Sequence, residues 1–266
     1  MEDPKRLLAG KTALVTGAGR GIGAATARAL GRHGASVAVN YHSNVDTADQ
    51  VVSDIKETGA QAIAVQGDAR VPKDVRALVK RTVRELGEID ILVCNVIGDT
   101  RNLSSKVGRS VPSFIDSDKG VAGLRGAVLS QLDATLTCCR QVVPGMRRLG
   151  GGSIIFIGAS VTHNSAPAPA EIAVAKSAQD SVARLLAQQL GPDGIRVNNV
   201  APGFVPTDAN AGPHQQTIIE HIAIQTPLQP IIRAEDVANT VVALVGDLTE
   251  RLTGLFVPVD GGVTLV

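Results

Sequence analysis

Thr16 to Gly23 reads T-G-A-G-R-G-I-G. It follows an apolar, β-rich run, T-A-L-V-T (12–16), and leads into an Ala-rich stretch of helical character reaching about His33. Glycine adopts backbone angles that side chains resist and leaves room for a close neighbour. Gly17, Gly21 and Gly23 therefore suit a tight turn against which a pyrophosphate can lie. A helix opening here offers N–H groups without intrahelical partners and a positive dipole end. Gly-x-Gly-x-x-Gly alone is a weak signal. Gly-x-x-x-Gly-x-Gly between a first strand and a first helix is a stronger one. Arg20 and Ile22 lie inside the turn. An ordinary strand-to-helix turn is the alternative reading.

Outward from this turn the same rhythm repeats. Strands are expected at 36–41, 61–66, 89–94, 153–157, 195–200 and 255–259, with helices at 45–58, 73–86, about 121–148 and about 168–190. The strands lack clean polar alternation, as expected where helices cover both faces of a parallel sheet. Repeated β-α-β units imply a doubly wound α/β fold. No linker interrupts the chain, so residues 1–266 read as a single dinucleotide-binding domain. Residues 98–120 are polar and Gly-rich, an expected irregular insertion. Residues 203–233 are Pro-rich with an apolar patch, an expected mobile flap over the substrate cleft.

Composition limits the function. The chain has 266 residues, 44% of them hydrophobic, enough for a substantial core, and a formal net charge of +1. That charge draws it to neither nucleic acid nor an anionic membrane. There is no Trp and one Tyr, Tyr41, so base stacking is not expected. Cys94, Cys138 and Cys139 give neither a disulfide framework nor metal-ligand spacing, and fit a reducing compartment. The opening M-E-D-P-K-R lacks the apolar stretch of a secretion signal, and apolar runs such as I-I-F-I are too short to span a bilayer. A cytoplasmic protein is expected.

The residues after the second strand should meet the adenosine ribose, where NAD-selective sites place Asp or Glu. Here they are Asn40, Tyr41, His42 and Ser43, with no carboxylate to repel a 2′-phosphate. Arg20 is placed to pair with that phosphate. NADP(H) is therefore favoured over NAD(H); a solvated Arg20 is the bland alternative.

Further stretches converge: V-N-N-V-A-P-G-F-V-P-T (197–207), V-D-G-G (259–262) and G-D-A (67–69). With the glycine turn, they resemble the short-chain dehydrogenase/reductase family in its single-domain form. The resemblance implies a Rossmann-type sheet of about seven strands, a homotetramer or homodimer, and alcohol or carbonyl chemistry with a nicotinamide cofactor on a small molecule. It places Asp68 and Ala69 by the adenine and Asn95 beside the adenosine ribose. The Pro202–Gly203 segment leads to Val205 and Thr207, which would hold the carboxamide and a phosphate. Lys176 would bond the nicotinamide ribose.

The same resemblance implies a departure. Such enzymes use Asn, Ser, Tyr and Lys. With Lys176 as the lysine, Ile172 takes the Tyr position, Ala159 the Ser position and Gln131 the Asn position. A one-residue slip would bring Ser160 into the serine role. Ile97 of C-N-V-I-G (94–98) stands where a glycine is usual, unless Gly98 takes over after a shift. His163 is the best substitute proton donor by intrinsic pKa, or a solvated loop residue. Ser160 and Asn164 are candidate oxyanion donors or plain loop groups. Glu171 reads as solvated; Asp99 and Arg101 after the fourth strand either meet substrate or belong to a plain polar loop, the favoured reading. Phe204 and P-L-Q-P-I-I (227–232) suggest an apolar or polycyclic substrate, or packing under a loop. Three functions stay open: an NADP(H)-dependent reductase of an activated ketone, quinone or enone; a non-redox cyclase, dehydratase or isomerase; and a non-catalytic NADP-binding partner.

Overall fold

Glycine turns and apolar strands assemble in the computed structural model, which describes residues 6–98, 114–164, 168–212 and 215–265. Seven parallel strands form one sheet: β1 (Thr12–Val15), β2 (Ser36–Tyr41), β3 (Ala62–Gln66), β4 (Ile91–Cys94), β5 (Gly152–Ile157), β6 (Ile195–Pro202) and β7 (Phe256–Val259). Their order is β3-β2-β1-β4-β5-β6-β7. The chain runs outward from β1 to β3, then returns to place β4 on the other side of β1. Ligands of open α/β sheets bind at such a reversal, outside the carboxyl ends of the strands.

The helices are α1 (Gly21–Arg32), α2 (Val45–Glu57), α3 (Pro72–Leu86), α4 (Asp118–Leu149), α5 (Ala170–Leu190), α6 (Gln215–Gln225) and α7 (Ala234–Val245). Both sheet faces are apolar because each strand sends alternate residues to different cores. Val15, Val39, Val93 and Ile155 join one cluster with α1, α2 and α7. Leu14, Ala38, Leu92 and Phe156 join the other with α3, α4 and α5. A strand covered on both sides has no solvated face to carry polar residues, so the sequence shows apolar runs without alternation.

Local chemistry sets the helix ends. The Asn44 side chain accepts from Thr47 N at 3.2 Å and caps α2, while α3 opens on Pro72. Ser117 Oγ accepts from Gly120 N at 3.1 Å and starts α4 at Asp118. The expected irregular insertion 98–120 thus ends in capped helix, and residues 99–113 lie outside the described residues. Residues 203–233 carry a short 3-10 turn at Asp208–Asn210 and the whole of α6. Helix α7 fills a stretch with no assigned element in the sequence reading. It packs on α1 through the buried Val237, Ala238 and Val241.

Candidate functional site

Gly17 and Gly21 have φ of 61° and 55°, the left-handed region in which glycine is favoured. At Gly23 the constraint is space. A Cβ there would lie 2.4 Å from Gly17 O and 2.6 Å from Asn95 Nδ2. Helix α1 begins on exposed Arg20 with no side-chain cap and no acidic residue in its first turn. Its leading N–H groups and dipole end face the turn without local compensation, as an anion site requires. These residues fit a dinucleotide pyrophosphate. Ile22 turns back to pack against the core.

Neighbouring strands hold the turn in place. Asn40, 1% exposed, accepts from Gly17 N at 3.1 Å and donates to Val65 O at 3.2 Å and Gly67 O at 3.0 Å. It is thus a structural tie between the turn and the end of β3, a role the sequence did not disclose. Asn95 sits where β4 ends and donates to Thr16 O at 3.0 Å and Gly17 O at 3.2 Å. Half-buried Thr207 arrives from the P-G segment, its Cγ2 3.4 Å from where a Gly21 Cβ would stand. The turn, Asn95 and Thr207 are therefore brought together from positions 16 to 207.

Just after β2, Tyr41 is half-buried against the core and His42 is exposed. Asp68 is joined to Arg70 through Nη2 at 2.7 Å and Nε at 2.9 Å. Its bond to Arg70 holds the Asp68 carboxyl below the usual carboxylate range. His42 Nε2 stands 3.9 Å from Asp68 Oδ2. Ala69 is buried in the core. Pro202 closes β6, and Gly203 N donates to Val259 O at 2.9 Å. Val205 is buried, and its carbonyl accepts from Asn210 Nδ2 at 2.8 Å.

Lys176 lies deep between α5 and the sheet, 3% exposed. Its Nζ donates to Ile157 O at 2.6 Å and Gln179 Oε1 at 3.1 Å. Burial lowers its pKa from 10.5 to about 7, because a desolvated ammonium is disfavoured. Ile172 lies one helical turn earlier and, like Ala159, is half-buried. Gln131 is buried on α4; it accepts from Gly98 N at 3.0 Å and donates to Val96 O at 3.2 Å. Gly98 must be small for α4's sake, since its Cβ would fall 2.8 Å from Gln131 N. Ile97 projects outward, 52% exposed. The Cys94, Cys138 and Cys139 thiols are buried together nearby; hydrogen bonding with Cys138 and Cys139, and burial, push Cys94 up.

Other candidates fall elsewhere. The His163 ring packs on the Phe256 ring at 4.0 Å, and its Nε2 stands 3.7 Å from Asp180 Oδ2. Asp180 also takes Asn199 Nδ2 at 2.9 Å and a short contact from Arg184. The His163 side chain therefore joins a cluster of α5, β6 and β7; among the described residues its ring bonds neither Lys176 nor Ser160, although its backbone N–H donates to Ser160 O at 2.9 Å. Ser160 is buried and accepts from Asn164 Nδ2 at 3.4 Å; Asn164 also donates to Thr264 Oγ1 at 2.7 Å. Glu171 corrects the expectation of a solvated side chain, for it is 3% exposed. It shares a helix face with Ala175 and Gln179, and Gln179 bonds Thr135 on α4. Asp99 and Arg101 lie outside the described residues. The apolar 227–232 segment divides: Leu228 is 72% exposed and Ile232 is buried. Thr226 and Pro227 press on Gly261 and Gly262 of the closing turn, which is packing. Among the described residues no cluster could hold a metal ion, and no helix is long and apolar enough to cross a membrane.

The chain is similar to known proteins along nearly its whole length. The family described as enoyl-(acyl carrier protein) reductase matches residues 17–264. The 3-oxoacyl-(acyl carrier protein) reductase FabG of Staphylococcus aureus is 32% identical over 254 residues, 95% of this chain and 97% of that protein. A 7α-hydroxysteroid dehydrogenase solved with NADH and 7-oxo glycochenodeoxycholic acid superposes with a TM-score of 0.84 at 30% identity, covering 98% of each chain. A short chain dehydrogenase from Burkholderia cenocepacia, solved with NADP, gives 0.79 at 32% identity over 96% of this chain and 98% of that one.

Proposed function

The chain belongs to the short-chain dehydrogenase/reductase family of oxidoreductases, and from that premise we propose that it is an atypical NADP(H)-dependent reductase working without a catalytic tyrosine. The observation that carries this reading is the crowded glycine turn. A chain with no use for a dinucleotide has no physical need for a Gly23 wedged against Gly17 O and Asn95 beneath an uncapped helix.

A nicotinamide, when bound, supplies the hydride. Gly17, Gly21, Gly23 and the first N–H groups of α1 hold the pyrophosphate. Exposed Arg20 pairs with the 2′-phosphate, and no carboxylate after β2 opposes it. An ammonium has three protons. Lys176 gives two of them to Ile157 O and Gln179 Oε1, and the remaining one suits a ribose hydroxyl. The only tyrosine, Tyr41, ends β2. Ile172 and Ala159 stand in the acid and hydroxyl positions as apolar floor, so the proton comes from water or from the substrate's own hydroxyl.

Losing a positioned acid costs roughly 10²–10⁴-fold, while juxtaposing donor and acceptor is worth effective molarities of about 10⁵–10⁸ M. Positioning outweighs the loss for an acceptor whose product anion is already stabilised, namely an activated ketone, a quinone or an enone. Residues 203–233, with α6, cover that acceptor. Exposed Leu129, Leu136 and Leu185 on α4 and α5 give a homodimer or homotetramer an apolar contact. The apolar Ile172 and Ala159 also favour a second reading, a dinucleotide-binding partner without turnover.

The test is incubation with NADPH deuterated at C4 and a panel of quinones, enones and activated ketones. Deuterium in the reduced product is expected. Tight NADPH binding with no transfer to any acceptor supports the second reading. No nucleotide uptake at millimolar concentration overturns both.

A further inference from the structure

The polar groups around Lys176 continue beyond it. Gln179 Oε1 accepts from Lys176 Nζ at 3.1 Å, and Gln179 Nε2 donates to Thr135 Oγ1 at 3.2 Å. Thr135 Oγ1 donates to Gln131 O at 2.9 Å and accepts from Gln131 Nε2 at 3.5 Å. Gln131 then takes Gly98 N–H and gives its own N–H to Val96 O. All four side chains are buried, with 0–3% exposure.

The directions of these bonds leave one consistent arrangement. Gln179 Oε1 accepts from Lys176 Nζ, and its NH₂ faces Thr135. The Gln131 oxygen must face the Gly98 N–H, so its NH₂ faces Val96 O. Thr135, in the middle, accepts two bonds and donates one. Buried groups lacking partners cost far more than a net hydrogen bond contributes, so a change at one end disturbs the other. Side-chain amides hold position without carrying protons at neutral pH, so this connection does not serve as a proton relay.

We propose that Gln179, Thr135 and Gln131 are positioning residues: a side-chain ladder that fixes Lys176 Nζ and the Val96–Gly98 wall of the site in one mutual geometry. Its significance for cofactor binding rests on the dinucleotide reading above; its mechanical content does not. Loss of Lys176's placement and loss of the wall are then one event, transmitted through Thr135 across the α4–α5 contact.

Thr135→Val removes the hydroxyl without changing the shape, and Thr135→Ser restores it. The first measurement is hydrogen exchange at the Gly98 amide of the protein without nucleotide. Local opening is read amide by amide in such experiments. Exchange at Gly98 should rise about fivefold or more in Thr135→Val, beyond any rise at the strand amides of β4 and β5, and return toward wild type in Thr135→Ser. An unchanged Gly98 rate overturns the ladder, as does a rise matched by every slow amide, which marks general destabilisation. The second measurement is NADPH titration of all three proteins. Weaker binding in Thr135→Val, restored in Thr135→Ser, supports the ladder's role in the cofactor site. Unaltered affinity despite faster Gly98 exchange overturns that role. Failure of wild type to bind NADPH overturns the dinucleotide reading instead, and the exchange result still decides the ladder.

Discussion

Lys176 concentrates the residue-scale questions, because an ammonium 3% exposed must either be compensated or shed its proton. Ile157 O and Gln179 Oε1 compensate in part, yet burial still lowers its pKa from 10.5 to about 7. Above pH 10.5 neither folded nor unfolded lysine holds the proton. Between about 7 and 10.5 the unfolded chain binds it and the native chain does not, so native stability rises with pH across that window. The stability of wild type relative to Lys176→Met should therefore climb by on the order of 4 kcal/mol from pH 7 to 10.5 and stay level below 7, as read by urea unfolding. A flat difference would mean that the amine titrates normally. The proposed tyrosine-free site gives a second expectation. Ala159→Ser with Ile172→Tyr should raise kcat/KM for a simple ketone by up to about 10²–10⁴-fold. No gain would indicate a misplaced cradle and not merely a missing acid. The glycine turn was legible because its backbone demands follow from residue type and local spacing, whereas Lys176 entered only through the family resemblance. Nothing local signals that Glu171 is buried, since that depends on which helix lies opposite.

Among the elements, the tie between β2 and the glycine turn shows how strands build a site they do not line. Asn40 satisfies Gly17 N–H in the turn after β1 and two carbonyls at the end of β3. Asn40→Ala orphans these buried groups and should cost about 1–3 kcal/mol in urea unfolding. It should also weaken NADPH binding at the turn, measured by calorimetry on the same sample. An unaffected affinity would show that the turn holds its shape alone. Seven strands and five of the helices were legible from periodicity, because apolar runs and caps are local. Helix α7 was not: its T-V-V-A-L-V end is rich in β-branched residues of modest helix propensity, and packing on α1 overrides that preference. Helix α6 buries no residue, so it has no apolar stripe to betray it.

For the whole molecule, the strand order is what gathers the turn, Asn95, Thr207 and Lys176 near the carboxyl ends of the strands. A nucleotide that binds there and not to the unfolded chain must stabilise the protein. At 100 times its Kd, NADPH should add about 2.7 kcal/mol, and hence raise Tm by roughly 5–10 °C for a chain of this size. NADH at the same concentration should raise it less. Equal shifts would remove the preference for the 2′-phosphate, and no shift would remove the cradle. The sequence by itself determined the α/β alternation and the glycine turn, because these depend on backbone angles and on neighbours within a few positions. Only the tertiary structure decided that Gln131, Thr135, Gln179 and Lys176 form one buried chain, that His163 belongs to Asp180 and Phe256, and that Gly98 yields to α4. Those are contacts between surfaces far apart in the chain, fixed by how helices settle on a sheet, and no local pattern encodes them.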